Sequence, residues 1–238
     1  MAKAPSFGRR VSKDERDKGY LMSRLLPSPA KVVLPTSKTW RIASKNLDQG
    51  PYGTCVGNAW TNFLRCAPIQ TTADESMALK IYDAAILLDE WTDNDNDTDR
   101  QMGTSVRGGA MAVTNMGRLK SYVWAFDLQP TIEWVLLNGP IVLGTDWPSS
   151  FMKPDAQGIV QIKPGSRILG GHSYLLRGAD TKKALAYCCN SWGDSWGLSG
   201  NFAMPFRDLE TLIHNDGEAA AAVQKSLTAA PVINGAKP

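Results

Sequence analysis

The chain reads as an α+β protein, helical in its first half and mainly β in its second. Three observations predict this. Apolar residues fall at helical spacing after Cys55, Asp74 and Val106. Beyond residue 120, short β-branched and aromatic runs alternate with Gly, Pro and Asp. And 238 residues with 43% hydrophobic content can bury a sizeable core.

Residues 1–36 are basic and broken by Pro5, Pro27, Pro29 and Pro35, which predicts a solvated arm that becomes a strand near Lys31. From Cys55, the positions Val56, Ala59, Trp60, Phe63 and Leu64 predict an amphipathic helix, entered from a Pro51/Gly53 loop and ended by Pro68. Asp74 is placed to cap a second helix reaching about Trp91, with Met77, Ile81, Ala84, Ala85 and Leu88 on one face. A third is expected from Val106 to Met116, with Gly117 at its end. Thr131 to Leu137 is helical. Strands are expected at 141–143, 159–162, 173–176 and 184–189. Residues 37–217 thus form one domain, with a helical half at about 49–125 and a β half at about 126–217. The Ala-rich segment 218–238 reads as a fraying tail.

Net charge is +3, but the excess sits in the arm: residues 1–31 carry eight Lys/Arg against three Asp/Glu. A second reading docks that arm on an acidic partner or nucleic acid, although Phe7 and Tyr20 are its only stacking residues. No eighteen-residue apolar run exists, so no membrane span is expected. The polar start argues against a secretory signal, and four cysteines with Cys188 and Cys189 adjacent argue against a disulfide framework. Both point to a reducing, cytoplasmic setting: the host cytoplasm, or a virion if a phage encodes the chain.

Asp93, Asp95 and Asp97 have the alternate spacing that opens an EF-hand loop. Thr98 and Thr104 stand where Gly and Glu are needed, so the segment is expected to be a solvated loop without metal. No cofactor motif is present.

The chemistry lies in four settings. Gln49-Gly50 precedes Cys55, which opens a helix where the macrodipole favours a thiolate. The base is one of two histidines: His172, after Gly170-Gly171 and entering a strand, or His214, at a helix end. Asn190 opens Asn190-Ser191-Trp192-Gly193-Asp194-Ser195-Trp196-Gly197. In these residues the chain resembles the papain family of cysteine peptidases over about 37–217.

The resemblance implies a helical half and an antiparallel β half with the active-site cleft between them. It makes Cys55 the nucleophile, His172 the base and Asn190 the group that orients the imidazole under Trp192. Gln49 joins the Cys55 N–H in the oxyanion hole. Gly144, Gly171 and Ser173 are implied to line the main side-chain pocket, whose small residues suggest a bulky apolar or aromatic guest. The substrate is then a polypeptide. Three departures stand out: Val56 replaces an aromatic, Tyr52 replaces the cysteine of a family disulfide, and the leader is shorter than the family's inhibitory prosegment. That last point implies restraint by something else. The compact papain-like proteins of phages and actinobacteria are the most similar subgroup. Two other classes fit the same residues: a weakly catalytic papain-fold binding or virion structural protein, and a related acyl-transfer enzyme (a transglutaminase or peptidoglycan endopeptidase).

Overall fold

A computed structural model describes residues 6–28, 32–42, 45–91 and 97–223. Helix α1, Cys55–Arg65, begins at the cysteine and is buried on every side. Helix α2, Glu75–Ile86, is capped by Asp74, whose carboxylate accepts from the Ser76 and Met77 N–H groups. It stops at Ile86, short of the expected Trp91. Gly57 lets the two helices touch, since a Cβ there would collide with the Ala78 carbonyl. Helix α3, Val106–Asn115, is capped by the Ser105 hydroxyl.

The strands are β1 Ser37–Thr39, β2 Ser121–Ala125, β3 Ile141–Pro148, β4 Ile168–Asp180, β5 Leu185–Cys189, β6 Asn201–Pro205 and β7 Glu218–Val223. They form one antiparallel sheet in the order β2-β7-β3-β4-β5-β6, with β1 added to β4. Helices α4, Leu128–Leu137, and α5, Phe206–His214, complete the described elements.

Strand alternation divides the core in two. Val142, Leu175, Cys189 and Ala220 face α1 and α3, while Leu143, Tyr174, Leu176, Cys188 and Ala219 face the other side with residues of α4 and α5. The adjacent Cys188 and Cys189 therefore do point to opposite faces. All four cysteines are free and buried. No described helix is long and apolar enough to cross a membrane.

Four expectations are corrected. Residues 218–223 are no fraying tail: β7 lies between β2 and β3, because its alanines fit where both faces of the sheet are covered. No strand forms at 159–162. Ile159 makes one bridge to Ala203, and the neighbouring backbone bonds instead to Ser150 Oγ and the Asp208 carboxylate. The bound between the halves shifts, since β2 falls within the residues 49–125 expected to be helical. The described part of the arm packs on the domain in 3-10 turns at Glu15–Gly19 and Met22–Arg24, and the first strand starts at Ser37. Lys31 lies outside the described residues. Several of the arm's charges pair within the chain: Arg9 with Glu218, Lys13 with Asp216, Arg16 with Asp14 and Lys18 with Glu15. This pairing gives no support to an acidic or nucleic-acid partner.

Asp93 and Asp95 lie outside the described residues. Asp97 is buried rather than solvated, accepting from the Gln101 and Met102 N–H groups and from Tyr82.

Candidate active site

Cys55 is the first residue of α1 and is fully buried. The backbone N–H groups of Ser173, Gly8 and Val56 face its sulfur. Burial nevertheless pushes the thiol up to about 11, against those donors and the nearby Arg9 charge. The helix dipole expected to depress it is outweighed by desolvation, so the thiol here is neutral.

His172 enters from β4, one residue before Ser173, whose N–H lies near the sulfur; no hydrogen bond joins its ring to the Cys55 thiol. Its Nε2 lies 2.8 Å from Asn190 Oδ1, which also accepts from the Ser191 N–H at 2.8 Å. An oxygen that accepts both bonds requires Nε2 to carry the proton. Nδ1 is then the free lone pair, and it is buried without a hydrogen-bond partner. Burial lowers the imidazole to about 4, against the Asn190 bond. Since the folded pKa lies below the ordinary 6.5, stability drawn from the neutral ring is complete above pH 6.5. It is lost as the pH falls towards 4, an effect of about 3 kcal/mol.

Gln49 is held by the Asn190 turn. Its N–H donates to the Ser191 carbonyl at 2.8 Å, and its Oε1 accepts from Ser191 Oγ at 2.7 Å. The amide Nε2 then points at the Tyr52 carbonyl (2.8 Å) and the Ser6 carbonyl (3.1 Å). Sequence reasoning passed over Ser191, although it stands inside the quoted motif.

Aromatic rings box the imidazole. Trp192 lies 4.7 Å from it between ring centroids, Trp147 lies 4.8 Å away edge-on, and Phe7 5.9 Å away edge-on. Trp147 and Phe7 were not anticipated: nothing local marks a tryptophan at the end of β3 or a phenylalanine in the arm. The other histidine, His214, ends α5 and lies 3.5 Å from Asp127, as its helix-end setting suggested.

The groove is filled by the chain's own Ser6–Arg10. The Arg9 N–H donates to the Gly171 carbonyl at 3.0 Å, the Arg10 N–H to Thr104 at 3.0 Å, and the Thr104 N–H to Gly8 at 2.8 Å. Gly8 is pinched so closely that a Cβ would collide with the Gly53 carbonyl. The short leader, expected to leave restraint to something else, thus lies over the catalytic candidates itself.

The expected pocket residues meet Arg9. A Cβ at Gly144 would come within 3.1 Å of Arg9 Nε, and one at Gly171 within 3.1 Å of its Cδ. Ser173 contributes backbone only, its hydroxyl being spent on the Leu143 carbonyl at 2.8 Å. The floor is not apolar. Glu218, in register with Gly144 on β7, accepts from Arg9 Nε at 2.9 Å. The side chain found there is a charged one, not the bulky apolar guest that the resemblance implied, and it comes from the arm.

This architecture matches solved structures. Xylellain, a cysteine protease from Xylella fastidiosa, superposes with a TM-score of 0.70 at 16% identity, over 94% of this chain and 100% of that one. Digestive procathepsin L2 from Tenebrio molitor larval midgut gives 0.63 at 19% identity, over 92% and 78%. The chain has the papain-like cysteine peptidase fold. In sequence it is 26% identical over 210 residues to an uncharacterised peptidase C1-like protein of Acanthamoeba polyphaga mimivirus. That match covers 69% of this papain-like chain and 65% of the relative, so the chain spans less than two thirds of the relative's length. No family model matches the chain.

Proposed function

We propose that the chain is a cysteine peptidase that hydrolyses peptide bonds through Cys55, His172 and Asn190, with Gln49 in the oxyanion hole. The observation that supports this reading most is the Asn190 bond, which fixes the His172 tautomer and leaves its buried Nδ1 lone pair free.

His172 Nδ1 takes the thiol proton as sulfur attacks the peptide carbonyl carbon. The carbonyl π pair moves onto oxygen, where Gln49 Nε2 and the Cys55 N–H receive it. The tetrahedral centre collapses, the C–N bond breaks, and His172 delivers its proton to the leaving amine. Water, deprotonated by His172, then attacks the thioester; the carboxylic acid leaves and sulfur recovers the proton. Asn190 keeps the ring in one tautomer throughout.

The described state is closed, because Ser6–Arg10 occupies the groove and Gln49 already donates to the Ser6 carbonyl. Turnover requires that segment to leave. The neutral thiol and imidazole belong to the closed, dry site, and admitting water removes the desolvation that keeps both uncharged.

Digestion of a mixed peptide library by the full chain tests the reading, with peptidoglycan fragments and an amine-acceptor assay run in parallel. Peptide cleavage that ceases on alkylation of Cys55 is expected. Intact peptides alongside cleaved peptidoglycan or amine transfer would replace it with the acyl-transfer alternative.

A further inference from the structure

Arg9 is an unusual guest for a groove assembled beside a cysteine and a histidine. Its side chain is almost fully buried. Nε donates to Glu218 Oε2 at 2.9 Å, Nη2 donates to the Asp216 carbonyl, and Nη1 lies 4.0 Å from Asp146 Oδ1. The aliphatic stem runs over Gly144 and Gly171, where any side chain would crowd it. Glu218 keeps its second oxygen, Oε1, buried and without a hydrogen-bond partner. The sheet register ties this cradle to the chemistry: Glu218 pairs with Gly144, and Gly144 pairs with Ser173, the residue after His172. The Arg9 N–H bonds the Gly171 carbonyl, next to His172, and Phe7 packs edge-on against the His172 ring. A chain lying along this groove therefore brings one residue to the imidazole and a nearby side chain to Glu218.

We infer that Glu218 selects the substrate, so that the peptidase favours polypeptides placing an arginine in the pocket Arg9 now fills. The inference rests on the peptidase reading. Arginine suits the cradle better than lysine, which would set a methylene where Arg9 Nε donates and could not reach Glu218 and the Asp216 carbonyl together. An apolar side chain would leave the buried Glu218 carboxylate without a partner, and that cost is what rejects it. The leader's Arg9 acts as a tethered copy of the substrate side chain.

The test uses the full chain carrying Arg9→Ala, which vacates the pocket, with and without Glu218→Gln. Two quantities are read: kcat/KM on peptides differing only in Arg, Lys or Leu at the residue that enters the pocket, and protection of Cys55 from iodoacetamide by the peptides Ser-Phe-Gly-Arg-Arg and Ser-Phe-Gly-Ala-Arg. The expected result is at least a tenfold preference for Arg over Leu, with Lys between. That ratio should fall at least tenfold on Glu218→Gln, and only the Arg-containing leader peptide should protect. Asp146→Asn, at the open side of the pocket, should lower the ratio two- to threefold and serves if Glu218→Gln does not fold. Turnover without an Arg preference, or with one that neither variant alters, overturns the inference and leaves the peptidase standing. No turnover with Arg-selective protection overturns the peptidase reading and upholds the pocket. Neither turnover nor selective protection removes both.

Discussion

Cys55→Ala and His172→Ala should each lower peptide hydrolysis by a factor of about 10⁴ or more, while Asn190→Ala lowers it by about 10²–10³. The difference follows from the geometry. In the proposed cycle Cys55 forms the bond to carbon, and no other described nucleophile shares its position near the Ser173 N–H. In the proposed cycle His172 moves every proton, so its loss removes base and acid together. Asn190 reaches His172 through one 2.8 Å bond, and the rings of Trp192 and Trp147 still confine the imidazole without it. Circular dichroism should show the three variants folded. Equal losses for Asn190→Ala and Cys55→Ala would mean that Asn190 holds the site together rather than orienting the base.

Trp147→Ala should cost about 3–5 kcal/mol of stability and lower the midpoint of thermal unfolding by about 10 °C. Trp147 is fully buried at the end of β3, with the rings of Phe151 at 5.3 Å and Trp192 at 5.2 Å besides His172. Its Nε1 has no hydrogen-bond partner, so the loss is one of packing and the cavity left behind. The cavity would open beside the catalytic imidazole, so activity should fall before the fold does. A drop of less than about 2 °C, measured by scanning calorimetry, would show that the neighbouring rings collapse into the space.

How much of this was legible in the sequence depends on how local each signal is. The start of α1 at Cys55, the Asp74 cap and the Gly117 stop are decided within a few residues, and the sequence located them. Gln49, Cys55, His172 and Asn190 stood out as candidates for the same reason, each in a distinctive local setting. Glu218-Ala-Ala-Ala-Ala-Val223 was not, because its composition favours a helix or a tail. Only the gap between β2 and β3, which admits small side chains alone, makes it a strand. Phe7 and Arg9 were hidden for the same reason. Arg9 and Glu218 are 209 residues apart, and no window of sequence shows that the two ends of the domain meet at the nucleophile.

That meeting underlies the proposal of a thiol and an imidazole held closed under the chain's own Ser6–Arg10. It is tested most directly by the rate at which iodoacetamide labels Cys55 as a function of pH in the full chain, compared with Arg9→Ala and Gly8→Ala. Arg9→Ala removes one partner of a buried ion pair, which can be worth about 3–5 kcal/mol and is reduced where Glu218 takes up a proton. Burial already pushes that carboxyl up to about 7, against the Arg9 charge. Gly8→Ala introduces a methyl group where none fits. The account predicts slow labelling of the unaltered chain that accelerates only towards pH 11, where the buried thiol ionises. Both variants should label Cys55 at least tenfold faster, with a rate that persists below pH 6. The other three cysteines should remain slow. Labelling of Cys55 that is equally fast in all three proteins, or equally slow with a plain thiol profile in the two variants, would contradict it.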